Sequence, residues 1–570
     1  MAAPAPPAAT RSARALDLIE RVGNRLPEPA ILFVLLATFV VVLSAVGAAA
    51  GWSVAPVRPD GAGGLVPAGA PVEPRSLLTP DGVYWMLSSM LRNFTTLPAL
   101  GLIFVAMLGI GLAERAGFFS ALMRALALRT PPGLLTPAVV LLGANASVAS
   151  DAGYVILPPL AAALYHAVGR HPVAGLAAAF AGVAGGFGAG FLPTGGDAAL
   201  AGFAQDAARV LDPAYTVTIL HNLYFKAASA VVVMFAGWFV TDRIVEPRLV
   251  RARTADEVDD AATVEAMALE PQERRALRWA LVGQAALVGV VLLLVLVPGM
   301  PLHGPGQPTL ADSRVLVHQP AVVGPPAGAA GSPADTSAAY DVLAREPLAV
   351  VAAPERARLV ESPGARWSHV IVPIIFLAFL VPGLIYGRLA GTMRGQAGFV
   401  DGLTSGIRSI VPVLVIAFFM AQFVAYLGYT HLDRMMAYAG GSLLVQASLP
   451  VPLLLVLFVL LVVVGDFAIS GMLSKFGALA PIFIPMFMMV GISPELTTAA
   501  YRIGDSVVNV VTPLNSYLLV ILAVLQKYRA GAGLGSLIAL MLPYSLFFGV
   551  VWTLFLLLWL ALGLPLGPGA

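Results

Sequence analysis

Val168-Gly169-Arg170-His171-Pro172 and Val490-Gly491-Ile492-Ser493-Pro494 occupy matching places in two halves of the chain. Each closes on a proline thirteen residues after an earlier one, Pro159 before Pro172 and Pro481 before Pro494. Upstream of each pair lies a polar, serine-bearing break, Asn145 to Asp151 in one half and Asp466 to Ser474 in the other. Downstream, an apolar stretch is interrupted at Pro193-Thr194-Gly195-Gly196-Asp197 or at Thr512-Pro513-Leu514-Asn515-Ser516. The pattern reads as a repeat of one unit, a hairpin followed by a broken helix. Independent helix kinks are the competing explanation.

Composition sets the medium. Charged residues are 11% of 570, against about 25% in an ordinary soluble domain. Hydrophobic residues are 59%, mean hydropathy is +0.87, and the apolar residues fall into bilayer-length blocks. A polytopic all-α membrane protein is expected. Without cysteine there are no disulfides, thiolate metal sites or cysteine nucleophiles. A net charge of +2, spread over loops, gives no reason to expect a nucleic-acid partner.

Basic residues orient the blocks. Segments 241–278, 387–410 and 526–532 are the short loops richest in arginine and lysine and are expected in the cytoplasm. Segments 53–92 and 299–367, rich in Pro, Gly and Ala, are expected outside, the second as a flexible linker. Thirteen apolar blocks and nine crossings plus two re-entrant hairpins satisfy this charge pattern equally. The repeat favours hairpins at 134–168 and 449–490, one starting inside and the other outside, as in inverted-repeat transporters.

The resulting division is a cytoplasmic N-terminus (1–28), first scaffold helices with an outer loop (29–133), and the first repeat unit of a transport core (134–226). Scaffold helices with a basic cytoplasmic loop (227–298), the outer loop (299–367) and further scaffold helices (368–446) follow. The second repeat unit (447–526) and a C-terminal helix (527–570) complete it.

Irregular backbone at membrane depth survives only inside protein or beside water. Asp151, Asp197, Asp466, Lys475, Arg502 and Asp505 lie in or beside these breaks, where each charge costs roughly 2.5–3.5 kcal/mol to insert. A shared interior site is expected. Arg502 and Asp505, three apart on one helical face, either neutralise each other or act separately. In the second case Arg502 presents a fork to a substrate carboxylate and Asp505 takes a coupling proton or Na⁺. Asp197 with the Thr194 hydroxyl and freed carbonyls is a candidate Na⁺ site, or the opening of a helix over 198–208. Asn509, Thr512, Asn515 and Ser516 supply oxygens in the second unit.

No H-E-x-x-H, G-x-S-x-G or Walker lysine occurs, so neither an enzyme nor an ATPase is expected. Thr194-Gly195-Gly196-Asp197 only approaches the G-x-G-D pattern of intramembrane aspartyl proteases. No cofactor is expected beyond a bound Na⁺ at Asp197, Asn509 and Thr512.

Ser147-Val148-Ala149-Ser150-Asp151-Ala152-Gly153-Tyr154, Ala480-Pro481-Ile482-Phe483-Ile484-Pro485-Met486-Phe487, Gly491-Ile492-Ser493-Pro494-Glu495-Leu496-Thr497, Ala500-Tyr501-Arg502-Ile503-Gly504-Asp505-Ser506 and Thr512-Pro513-Leu514-Asn515 resemble the AbgT family of p-aminobenzoyl-glutamate transporters. Ile19-Glu20-Arg21-Val22-Gly23-Asn24-Arg25-Leu26-Pro27 fits the same family. The resemblance implies an ion-transporter-type fold: a homodimer of nine-helix protomers, each with two re-entrant hairpins. It implies proton- or sodium-coupled uptake of p-aminobenzoyl-glutamate or export of sulfonamides, with site positions at Asp197, Pro494, Arg502, Asp505 and Pro513. Phe476 stands where the family carries tryptophan and Leu473 where it carries serine, with Ser470 and Ser474 nearby. A phenyl ring keeps the stacking face and loses the indole N–H.

These readings converge on a gradient-coupled exporter of p-aminobenzoate-like antimetabolites in the bacterial inner membrane, N-terminus inside. Phe476 would stack on the substrate ring, Arg502 would hold its anionic end, and Ser470, Ser474, Pro494, Pro513 and Asn515 would complete the pocket. Asp197, Asp505, Thr194 and Asn509 would carry the coupling cation. The alternative is import of p-aminobenzoyl-glutamate or a related dicarboxylate.

Overall fold

The computed structural model describes residues 28–59, 65–67, 69–149, 152–212, 215–251, 268–303, 314–318, 343–347, 367, 370–467, 469, 471–515 and 517–568. It is nearly all helical. Seven described helices are long and apolar enough to cross a bilayer, or eight if one bent pair counts as a span.

The first group of helices is α1 (Pro29–Ala49), α2 (Pro80–Thr95), α3 (Pro98–Ala116) and α4 (Phe118–Leu128). Prolines open the first three, where their missing N–H costs nothing. The path then bends by 118° into hairpin 1, made of α5 (Leu135–Asn145) and α6 (Ala152–Ala167). Next comes a broken helix. Its first half, α7 (Pro172–Phe180), ends in a π-helical turn, Ala181–Gly185, and its second half is α8 (Gly195–Ala208). α9 (Leu223–Val240) runs through another π-helical turn, Thr241–Val245, into α10 (Glu246–Arg251).

α11 (Pro271–Leu296), α12 (Ile371–Ala390), α13 (Gly395–Thr430) and α14 (Leu432–Ala447) follow. Hairpin 2 is α15 (Val451–Gly465) and α16 (Met472–Met488). The second broken helix is α17 (Pro494–Val508) and α18 (Tyr517–Tyr528), and α19 (Leu534–Ala561) is the last. Two antiparallel strand pairs lie in the long loops: β1 (Val57–Pro59) with β2 (Leu65–Pro67), and β3 (Arg314–His318) with β4 (Leu343–Pro347). The linker expected over 299–367 therefore carries a strand pairing, while most of the rest of it, like Asp151, Ser470 and Ser516, lies outside the described residues.

The repeat is visible in its turns. Gly169 and Gly491 both adopt left-handed backbone (φ +74° and +80°), reversing the chain after each hairpin. Both following helices open on proline, with His171 accepting from Val173 N–H and Ser493 from Leu496 N–H. The same turn chemistry thus directs both hairpins into the broken helices that follow.

Two groups of helices share a seam. α3 packs on α12 and α13, α11 on α12, and α1 and α2 on α13. In the other group α5 packs on α9, α15 on α17, and α9 and α17 on α19. α3 touches α8 across the seam. The first group crosses at glycine: a Cβ on Gly406 would lie 2.1 Å from the Met107 carbonyl oxygen, and one on Gly111 2.0 Å from Gly406 Cα. Gly406→Val should therefore force α3 and α13 apart, costing about 1–3 kcal/mol. A lower melting temperature in detergent is the expected result, and an unchanged one would contradict this packing.

Candidate functional site

The breaks converge on a cavity of about 490 Å³. Its polar wall comes from the hairpin tips and broken helices: Ser147, Asp466 and Ser474 with Thr194, Asn509 and Thr512. Asn515 and Tyr517 extend that wall, and α3 and α13 close the cavity with aliphatic and methionine side chains such as Met107, Ile410 and Met420.

Asp197 lies behind this wall. Thr194 is the helix cap and Asp197 stands at the third position of α8, in a reciprocal capping box. Its Oδ2 accepts from Thr194 N–H (2.7 Å), Thr194 Oγ1 (2.8 Å) and Lys226 Nζ (2.5 Å). Its Oδ1 sits 2.7 Å from Arg502 Nη2. Asp197 is thus buried and caps α8 from its third position, with Thr194 rather than Asp197 as the N-cap and the helix opening at Gly195 instead of residue 198. Lys226 also donates to the Leu192 carbonyl (2.8 Å), bridging the first break to α9.

Arg502 does not pair with Asp505. The spacing permits that pair, but Arg502 reaches across to Asp197 in the first repeat while Asp505 turns to Lys475 (2.8 Å). Lys475 also contacts Asp466 at the tip of hairpin 2. Tyr501 donates to the Met472 carbonyl (2.5 Å), and its hydroxyl lies 3.3 Å from Asp505 Oδ1. Two buried triads result. With every group ionised, Asp197, Lys226 and Arg502 carry one net positive charge, and Asp466, Lys475 and Asp505 one net negative charge. Arg502 and Asp505, less than a turn apart on α17, hold the two triads side by side.

One further contact connects the halves, and two more bonds brace them internally, one in each half. Gly188 N–H donates to Ser506 Oγ (2.7 Å), which donates to the Arg502 carbonyl (2.6 Å). Phe191 N–H donates to Asn145 Oδ1 (2.8 Å) at the tip of hairpin 1, and Asn515 Nδ2 donates to the Asn509 carbonyl (2.7 Å).

Of the residues singled out in the sequence, Thr194, Ser474, Asn509, Thr512 and Asn515 line the cavity. Asp197, Arg502 and Asp505 are buried behind its wall, and so is Phe476, whose ring tilts against Tyr501 at 4.6 Å. Leu473 is on the wall. Pro494 starts α17 two turns before Arg502, and Pro513 is half-buried in the second break. Sequence reasoning named Lys475 and Asp466 only as intramembrane charges and missed Lys226, which lies within the apolar run of α9. The insertion cost that marked the others marks Lys226 too.

For Na⁺, Asp197 fits poorly, because both of its oxygens already face cationic side chains. Among the described residues no cluster of three or more His, Asp or Glu side chains suits a metal ion.

Comparison with known proteins agrees with this architecture. The chain is 32% identical to the p-aminobenzoyl-glutamate transport protein of Escherichia coli (strain K12) over 565 residues, spanning 99% of this chain and 98% of that one. Its fold matches the Alcanivorax borkumensis YdaH transporter, described as having an unusual topology, with TM-score 0.77 and 34% identity over 95% of this chain and 100% of that one. It also matches Neisseria gonorrhoeae MtrF, described as illuminating a class of antimetabolite efflux pumps, with TM-score 0.81 and 35% identity over 98% of this chain and 100% of that one. Residues 14–319 and 340–570 match the AbgT putative transporter family, and with paired hairpins, broken helices and buried charges in place, the chain belongs to that family of membrane transporters.

Proposed function

We propose that the protein is a proton-coupled antiporter that exports sulfonamides and other p-aminobenzoate-like antimetabolites across the bacterial inner membrane. It would work as a homodimer in lipid, with nine crossings and two hairpins per protomer and the N-terminus inside. The moving core would be the two repeat units together with α9 and α19, which pack on them.

The observation that carries this reading is the contact of Arg502 with Asp197, which joins the two interrupted helices beside a largely apolar cavity with one polar wall. The positive triad suits the anionic or sulfonyl end of a substrate. The negative triad suits a proton, with Asp505 as its carrier. Opposite net charges on adjacent triads let one site answer to both species, and occupancy of either changes the field felt by the other. At 100 mV one net charge per cycle supplies ~2.3 kcal/mol, enough for about a fifty-fold gradient.

Reconstituted vesicles test coupling and direction together. A proton antiporter should concentrate labelled sulfonamide in an acidic lumen, whereas passive weak-acid partition and proton-coupled import both favour an alkaline one. Asp505→Asn should lower that gradient-driven accumulation at least about tenfold, a loss of ~1.4 kcal/mol. Accumulation driven by Na⁺ alone, or by protons towards an alkaline lumen beyond the level reached in protein-free vesicles, would replace this reading with the importer of p-aminobenzoyl-glutamate or a dicarboxylate.

A further inference from the structure

Two tyrosines on the cavity wall come from opposite repeats. Tyr154 lies in the first turn of α6, the second arm of hairpin 1. Tyr517 opens α18, its N–H donating to Asn515 Oδ1 at 3.1 Å. Their rings stack face to face, with centroids 4.1 Å apart and planes 10° apart. Phe180, at the end of α7, meets Tyr154 edge-on at 6.3 Å and braces its ring from the broken helix. Phe476, the ring expected from sequence to stack on substrate, is instead fully buried against Tyr501.

We propose that Tyr154 and Tyr517 determine specificity for the aromatic ring of the transported molecule, the pair parting to sandwich that ring. The proposal rests on the aromatic-substrate reading above and adds where the ring is held. A ring entering between the tyrosines exchanges one aromatic contact for two. An aliphatic dicarboxylate breaks the same contact and gains none, so the pair selects for arenes. Ser474 and Asn515 on the same wall leave polar groups for the substituents, and the triads lie just behind. Because the tyrosines belong to different repeats, the bound ring also bridges the two halves of the site.

The test is calorimetric titration of the full-length protein in lipid nanodiscs, with a sulfonamide and p-aminobenzoyl-glutamate as probes. Tyr154→Leu and Tyr517→Leu should each weaken binding about tenfold, while Tyr154→Phe and Tyr517→Phe should recover most of that loss because the ring remains. On the ligand side, the unaltered protein should bind a ring-saturated analogue at least about tenfold more weakly, a comparison that does not depend on any variant folding. Leucine variants with parental melting and parental affinity would overturn the assignment and leave the aromatic reading standing, as would equal affinity for the saturated analogue of a probe that binds. Absence of binding by either aromatic probe to the unaltered protein would overturn both.

Discussion

Asp197→Asn is expected to abolish transport and to destabilise the protein by about 3–5 kcal/mol, the typical cost of breaking a buried ion pair by removing one partner. Lys226 and Arg502 would be left as two buried cations around a neutral amide. The capping box weakens as well, because the amide replaces a carboxylate that accepts from the Thr194 backbone and hydroxyl. Adding Lys226→Met removes one stranded cation, and should restore much of the melting temperature without restoring flux. A single variant as heat-stable as its parent would show that the triad carries no such electrostatic burden.

Lys475→Met should have a comparable effect in the other triad, leaving Asp466 and Asp505 as like charges without the ammonium between them. Loss of folded protein on size exclusion and a fall of about 3–5 kcal/mol in stability are expected. The penalty should shrink when Asp505→Asn is added, since the repulsion then disappears. A double-mutant cycle reads this coupling directly, and strict additivity would contradict it.

The apolar blocks and the paired Gly-to-Pro turns were legible in the chain because both depend on local chemistry. Bilayer length selects α1, α9, α11, α12 and α19, and a left-handed glycine followed by a proline N-terminus selects the two hairpin exits. Helices α2, α4 and α14 were not legible, because an apolar-window reading does not register short amphipathic segments. The ion pairing stayed open between two alternatives for a related reason. Three-residue spacing puts Arg502 beside Asp505, but the stronger partner of Arg502 comes from the other half of the chain, through tertiary folding that no local rule contains. Phe476 shows the same limit: its place in the motif is clear, but the side on which its ring lies is set by Tyr501 and the rest of the bundle.

The Gly188–Ser506 hydrogen bond has a mechanical corollary. With Arg502 gripping Asp197 nearby, the two interrupted helices are stitched at two points and cannot hinge separately without unmaking buried polar contacts. If the repeat units move as proposed, displacement is then cheapest along the face where Met107, Ile410 and Met420 line the cavity opposite its polar wall, since methyl and thioether surfaces can shear past one another with no directional bond to break. The molecule would then work as a riveted piston in a greased cylinder.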